Sequence, residues 1–210
     1  MWEDVDLTGE GTIFKGVRNL KSGKAVAFSL GGDVFARENT EVWRRLAGTQ
    51  LEAEASDVAS LLDVDSFSGD AIYAVGAGGE ARLFDGKSWS RLDVPTDADI
   101  ERVCCAHGGD VYLSTRAKRL IWGHGGKWEV IDHVFDEFIV SMVAYQDRVY
   151  VSTVSSIYEV SGGHVMRADL GVPAMDSYGL MHANGTRLLV SCSTSAYYYE
   201  VGQWTEVFAL

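Results

Sequence analysis

A set of four short apolar segments occurs five times along the 210 residues, at intervals of about 40 residues. Within each set, an apolar residue of the second segment lies 15 or 16 positions before a tryptophan or valine of the fourth segment. These pairs are Phe28 and Trp43, Tyr73 and Trp89, Tyr112 and Trp128, Tyr150 and Val165, and Leu189 and Trp204. Four short strands repeated at this interval are typical of β-propeller blades. We therefore predict an all-β fold, a single five-bladed β-propeller with four short antiparallel strands per blade.

The repeat predicts one domain, with blades at approximately residues 8–50, 51–95, 96–134, 135–173 and 174–210. A closed arrangement is favoured over a linear stack, because an open stack of all-strand repeats would leave long unpaired edges. Residues 1–7 resemble an additional outer strand. Two explanations stay open for this segment. It is a closure strand that pairs beside residues 204–208, which we favour, or it is the remnant of a longer repeat array.

The hairpin between the third and fourth segments is clearest at Phe84-Asp85-Gly86-Lys87-Ser88-Trp89. It resembles a degenerate Asp-box (BNR) hairpin of sialidase-like propellers, without the serine and threonine that complete that motif. The resemblance implies a structural role, in which aspartate and glycine form the turn and tryptophan fills the gap between neighbouring blades. We expect the four tryptophans to occupy equivalent sites, each packed between sheets: Trp43, Trp89, Trp128 and Trp204. No sialidase chemistry is implied, because no arginine triad can be identified.

Composition and charge limit the possible partners. The chain is 47% hydrophobic and carries a net charge of −12. Phosphate recognition needs clustered lysine and arginine, so we expect no nucleic-acid partner. A basic protein surface is the better electrostatic match. The acidic first residues lack the features of a secretory signal, and no apolar run approaches the roughly 20 residues of a membrane span. We expect a cytoplasmic protein with no membrane partner, monomeric when free.

Histidines and cysteines show no metal-ligand spacing. The histidines form no HxH or HExxH pattern, and the cysteines form no CxxC motif. These residues are His107, His124, His133, His164 and His182, and Cys104, Cys105 and Cys192. We interpret the cysteines as small buried apolar residues. The sequence therefore predicts no metal site and no cofactor.

Catalytic motifs are also missing from the sequence. The glycine-rich segment at residues 76–79 joins two strands and leads into no helix, so we interpret it as a hairpin turn and not as a phosphate-binding loop. Asp63, Asp65 and Asp70 lie close to the first two strands of a blade and are the best catalytic candidates. We interpret them as turn formers and solvated strand ends, and we predict that the chain is not an enzyme.

The predicted connectors between blades are acidic. They span residues 47–57, 93–101, 132–137 and 169–176, and contain twelve aspartates and glutamates but no lysine or arginine. Propeller connectivity places such connectors on one face. Apolar residues among the acids could form the centre of an interface: Val94, Val134, Phe135, Val172 and Met175. The predicted partner-binding residues are Asp93, Asp97, Asp99, Glu101, Asp132, Phe135, Asp136 and Glu137. The alternative is ordinary loop solvation.

Two classes of binding function fit these features, a protein-binding propeller and a carbohydrate-binding (lectin-type) propeller with one pocket per blade. The connectors differ in length and sequence, which fits one asymmetric partner better than repeated sugars. In overall character the chain resembles the standalone repeat-propeller proteins encoded beside bacterial polymorphic and type VI toxins as immunity proteins. The resemblance implies a protein that binds and neutralises a basic cognate toxin, such as a nuclease, by charge and shape complementarity. A general assembly scaffold is the alternative within the same class.

Overall fold

Five four-stranded antiparallel sheets make up the fold, and in each of them the strands lie side by side in chain order. The computed structural model describes residues 13–40, 42–46, 60–68, 71–173 and 175–210. A meander of four short antiparallel strands is the topology of a propeller blade. The predicted fold class is confirmed: the chain is an all-β, five-bladed β-propeller.

The chain divides into two compact units, residues 1–103 (unit 1) and residues 104–210 (unit 2). Unit 1 holds the first two blades, and a 3-10 turn at Ala77–Gly79 lies within the second of them. The strands of these blades are β1 (Phe14–Asn19), β2 (Ala25–Ser29), β3 (Val34–Asn39), β4 (Val42–Arg45), β5 (Leu61–Ser68), β6 (Ala71–Gly76), β7 (Ala81–Phe84) and β8 (Trp89–Arg91).

The third blade begins with β9 (Ile100–Cys105), which spans the boundary between the units, and a 3-10 turn at His107–Gly109 follows it. The remaining strands of the last three blades are β10 (Val111–Thr115), β11 (Arg119–His124), β12 (Lys127–Val134), β13 (Ser141–Tyr145), β14 (Arg148–Ser152), β15 (Ile157–Ser161), β16 (His164–Arg167), β17 (Met181–Ala183), β18 (Leu188–Ser191), β19 (Ser195–Glu200) and β20 (Gln203–Ala209). The strands of each sheet lie inside one predicted blade range. That the blades form one domain stays a prediction.

Burial differs between the inner and outer strands of a blade. Every residue of β10 is buried, as are four of the five residues of β2 and of β14. A short, continuous apolar run of this kind is typical of a strand covered on both faces. The fourth strands are instead mostly exposed, as in β4 and β20. The polar residues of the repeat therefore lie on outer strands and turns.

The core of each unit consists of side chains from successive sheets. In unit 1, Phe28 of the first blade and Val64 and Ile72 of the second belong to one buried cluster. In unit 2, one cluster combines side chains of the third and fourth blades, and another combines those of the fourth and fifth. Pairs of neighbouring blades are thus held face to face by apolar packing.

The fourth-strand tryptophans occupy equivalent positions in the strand pairing, as predicted, whereas the packing of each ring between two sheets stays a prediction. Each of them, and Val165 in the fourth blade, pairs with a residue of the third strand: Trp43 with Arg37, Trp89 with Phe84, Trp128 with Gly123, Val165 with Val160, and Trp204 with Tyr199. The rings are half-buried. Trp128 covers Gly123 so closely that a Cβ there would overlap its ring. Trp89 and Trp204 pack against the cores of their units.

The turn after β7 is formed by Asp85. Its carboxylate accepts the backbone N–H groups of Lys87 at 2.9 Å and Ser88 at 2.8 Å. These bonds lower the pKa of Asp85, with the Ser88 bond contributing most. The resemblance of this hairpin to an Asp-box stays a prediction.

Three sequence predictions concern residues outside those that the structure describes. They are the closure strand at residues 1–7, Asp70, and the acidic connector at residues 47–57 with Glu52, Glu54 and Asp57. All three stay predictions.

Replacing Trp89 with alanine should lower the free energy of unfolding by about 2 kcal/mol, less than for a fully buried ring. The indole centroid lies 5.2 Å from that of Phe84, and the ring contacts the unit 1 core while remaining half-exposed. Urea denaturation measures the loss. Trp89→Phe is the matched control and should retain most of the stability. An unchanged unfolding midpoint for Trp89→Ala would contradict this packing role.

Candidate functional site

The first candidate surface is the connector at residues 92–99, between β8 and β9 in unit 1. Asp99 accepts the backbone N–H of Gly78 at 2.9 Å, which fastens the connector to the turn between β6 and β7. On the same turn, a Cβ at Gly79 would overlap the carbonyl oxygen of Thr96, so only glycine allows this approach. The hydroxyl of Thr96 in turn accepts the N–H of Ala98 at 3.1 Å. The connector is thus held in one conformation by local contacts.

Asp93 and Asp97 are the exposed acids of this connector. Neither carboxylate has a hydrogen-bond or ion-pair partner among the described residues. Both border an open cavity of about 480 Å³. Its other lining residues are Gly78, Gly79, Arg91, Leu92, Val94 and Thr96. The two carboxylates are therefore available to a cationic group that approaches this surface.

One basic residue, Arg91, adjoins this connector and lines the same cavity. Arg91 precedes the connector and directs its Nε to within 3.9 Å of Glu80, whose carboxylate is buried and also pairs with Arg82. Glu101 lies in β9 and not in the connector, and it is only half-exposed. The acidic predicted segment at residues 93–101 therefore contains two unpaired exposed aspartates, Asp93 and Asp97, and one structural aspartate, Asp99.

The second candidate surface is the connector at residues 135–140, between β12 and β13 in unit 2. Glu137 accepts the backbone N–H of Ser155 at 2.8 Å and its hydroxyl at 2.9 Å. The Ser155 backbone bond is the main cause that lowers the pKa of Glu137. Lys118 donates its ammonium to the carbonyl oxygen of Asp136 at 2.7 Å. The turns that carry Ser155 and Lys118 thus hold the connector in place. Glu137 therefore has a structural role.

The structure corrects the placement of Phe135, which was predicted near the apolar centre of the interface. Its side chain is only 1% exposed, and its ring packs edge-on against that of Tyr158 at 4.9 Å between centroids. The exposed aromatic residue of this connector is Phe138, at 56%. Both phenylalanines lie next to acidic residues in the sequence, and only the core between the third and fourth blades distinguishes them.

The other predicted residues are distributed over several elements. Asp132 is exposed but lies in β12, and Asp136 is exposed in the connector. Among the predicted apolar residues, Val134 is exposed and Val94 is buried. Val172 and Met175 pack partly against the unit 2 core. The apolar residues that the sequence placed at an interface are thus largely structural, and the exposed Phe138, Val154 and Leu180 were missed.

The sequence suggested that Asp63 is a solvated strand end, but the structure shows it buried. Its carboxylate is buried, lies 2.9 Å from the guanidinium of Arg18 and accepts the N–H of Val103 at 3.1 Å. Burial raises the pKa of Asp63, and Arg18 and the Val103 bond partly offset this effect. The three groups belong to β1, β5 and β9, the first strands of successive blades. Asp63 therefore joins successive blades. Asp65, the second candidate, accepts the backbone N–H of Ser66 through its carboxylate.

We expect Asp63→Ala to lower the free energy of unfolding by about 3 kcal/mol, because it removes the charged partner of the half-buried Arg18 guanidinium and the acceptor of the buried Val103 N–H. Asp93→Ala is the control, since Asp93 is exposed and unpaired, and it should change stability by no more than about 0.5 kcal/mol. Equilibrium denaturation in urea compares the two variants. Equal stabilities would contradict the structural role of the Asp63 ion pair.

The cysteines are all free thiols, but they are not all buried. Cys104 and Cys105 are buried as predicted, whereas Cys192 is half-buried. The Cys192 sulfur lies 3.3 Å from the hydroxyls of both Ser195 and Thr194. Hydrogen bonding, chiefly to Ser195, lowers the pKa of Cys192 to about 7.

Alkylation of Cys192 by iodoacetamide should therefore reach half of its maximal rate near pH 7, because the thiolate is the nucleophile. Peptide mass spectrometry distinguishes it from Cys104 and Cys105, which should not react in the folded protein. Ser195→Ala should shift the half-maximum to higher pH. A wild-type half-maximum at about 8.5, the ordinary thiol value, would contradict this environment.

Two further properties concern only the residues that the structure describes. No group of three or more histidine, cysteine, aspartate or glutamate side chains is placed to hold a metal ion there. In the same residues, no helix has the length and hydropathy needed to cross a bilayer.

The five blades and their firmly held connectors define the class of this protein, a small repeat β-propeller. No protein-family model matches the chain. Over 208 residues it is 30% identical to the immune protein Tsi7 of Pseudomonas aeruginosa, covering 97% of this chain and 67% of Tsi7. The chain belongs to the family of this immune protein.

Solved structures show the same fold at low sequence identity. Virginiamycin B lyase from Staphylococcus aureus matches with a TM-score of 0.73 at 7% identity, over 95% of this chain and 71% of the lyase chain. YCF48 bound to D1 peptide matches with a TM-score of 0.65 at 11% identity, over 97% of this chain and 69% of YCF48. At these identities the likeness concerns the fold alone, because propellers host many functions.

Proposed function

We propose that this chain is a non-enzymatic, cytoplasmic immunity protein that binds and neutralises a basic cognate toxin of a bacterial polymorphic or type VI system. Membership of the Tsi7 family supports the immunity role. The unpaired carboxylates of Asp93 and Asp97 on a fixed connector support a cationic partner. We further propose that the free protein is monomeric.

These two aspartates are suited to pairing with lysine or arginine side chains of a partner. Because neither has a partner among the described residues, binding breaks no existing ion pair. The bonds at Asp99 and the close approach at Gly79 already fix the connector, so little conformational entropy remains to be lost. Exposed charges of this kind mainly accelerate association, and salt screens them.

The connectors do not repeat one pocket from blade to blade. In unit 1 the connector is held by Asp99 on Gly78, and in unit 2 by Glu137 on Ser155. The connector before β17 is held differently again, because the indole N–H of Trp204 donates to the carbonyl of Leu170 at 2.8 Å. This asymmetry favours one protein partner over a sugar bound at every blade.

The test uses the protein encoded by the gene next to that of this chain, since immunity proteins of this kind are encoded beside their toxins. Reversing Asp93 and Asp97 together to lysine should slow association about tenfold at low salt, because long-range attraction is lost. Wild-type affinity should weaken as salt increases. Stopped-flow fluorescence or surface plasmon resonance measures both effects. Asp99 is left in place because it holds the connector.

The matched control reverses Glu129 and Asp147, two exposed acids of unit 2, and changes the net charge by the same amount. It should associate at nearly the wild-type rate. Equal effects of both reversals would contradict a specific role of Asp93 and Asp97. No binding by the wild-type chain, or no rescue of cells that express the neighbouring protein, would contradict the proposed function. Calorimetric binding of simple sugars at one site per blade would instead support the lectin-type alternative.

A further inference from the structure

Three large apolar side chains are exposed on neighbouring loops of unit 2. Phe138 is 56% exposed, Val154 is 52% exposed and Leu180 is 64% exposed. None lies on an outer strand, where alternation leaves apolar residues such as Met166 in solvent. Loops are normally polar, so three such residues on adjacent loops are an unusual feature of a soluble fold.

Hydrogen bonds join the loops that carry these residues. Glu137 binds Ser155, which brings the Phe138 loop to the Val154 turn. The N–H of Tyr178 donates to the carbonyl of Val154 at 2.8 Å, and Ser152 donates its hydroxyl to Gly179 at 2.8 Å. The three loops therefore form one surface, here called the apolar loop surface, defined by Phe138, Val154 and Leu180.

The Phe138 ring is held before any partner arrives. The ammonium of Lys118 lies 5.2 Å from the centroid of the ring, a cation–π geometry. The same ammonium donates to the carbonyl of Asp136, which keeps it in place. An exposed aromatic ring with restricted motion loses little entropy on binding, as is typical of interface hot spots.

Unpaired carboxylates flank the apolar loop surface. Asp136 lies two residues before Phe138, and Asp176 lies four residues before Leu180. Both are exposed, and neither side chain has a partner among the described residues. The rim therefore holds these two carboxylates together with the Lys118 ammonium beside Phe138. Such an apolar centre can take an apolar side chain of a partner whose neighbouring lysines or arginines pair with the carboxylates.

We propose that Phe138, Val154 and Leu180 form the apolar centre of the partner-binding surface of unit 2, which takes an aliphatic or aromatic side chain of the basic toxin. This inference rests on the proposed function, because the toxin is the occupant. It also gives unit 2 a different role in binding from the aspartates of unit 1. The charges set the association rate, and the apolar loop surface sets the dissociation rate.

The experiment measures binding of the full chain to the protein encoded by the neighbouring gene, with Phe138→Ser and Leu180→Ser as variants. Each should dissociate at least about tenfold faster than wild type, with an association rate within about twofold, as expected for a buried apolar hot spot. Met166→Ser is the control, because Met166 is 60% exposed on β16. It should bind as wild type does. Unchanged thermal melts establish that all three variants fold.

Each other outcome has a distinct meaning. If the wild-type chain binds and both variants dissociate at its rate, this inference is wrong while the proposed function stands. If the wild-type chain does not bind, the proposed function fails and the inference fails with it. Sedimentation tests whether the chain self-associates through this surface. If Phe138→Ser abolishes self-association but leaves toxin binding unchanged, the surface is a contact between copies and the inference is wrong.

Discussion

Hydrogen bonds between the first strands of successive blades are the interaction on which the other contacts depend. In unit 1 the buried carboxylate of Asp63 accepts the N–H of Val103 and pairs with Arg18, so that one side chain joins β1, β5 and β9. In unit 2 the hydroxyl of Ser141 accepts the N–H of Met181 at 3.1 Å, which joins β13 and β17. Each link satisfies a buried backbone donor that a strand at the edge of its sheet would otherwise leave unpaired. With the first strands aligned, the apolar faces of adjacent blades meet and the core clusters form.

The connectors between blades are short, and some of their acidic side chains hold them against neighbouring turns. Asp99 and Glu137 accept backbone N–H groups of neighbouring turns, so their charges are engaged in the fold. Asp93, Asp97 and Asp136 stay exposed and unpaired among the described residues, on loops that these bonds already order. Preorganised charge of this kind lets a partner bind without first ordering the loop. The acidic residues of these connectors therefore form two groups, those that hold the fold and those that stay exposed, and they are distinguished by what each carboxylate contacts.

The fold and the family support different parts of the proposed function. A propeller likeness extends to a lyase and to a peptide-bound protein, so the architecture by itself is compatible with several activities. The relation to the Tsi7 immune protein covers nearly the whole chain and is the stronger support for immunity. Within that role, we propose that the exposed aspartates of unit 1 attract a basic partner and that the apolar loop surface of unit 2 slows its dissociation.

The sequence by itself determined the fold class, the five blades and the equivalent tryptophans, because strand period and turn spacing are local properties repeated five times. It could not distinguish Phe135 from Phe138, since each lies next to an acidic residue and only the core cluster shared by the third and fourth blades buries the former. Nor could it show that Asp63 is buried, because its partners lie 45 and 40 residues away in the chain. The same holds for Asp99 and Glu137, whose donors lie 21 and 18 residues distant. Whether a carboxylate holds the fold together or remains available to a partner depends on contacts between distant segments, and only the tertiary structure decided it.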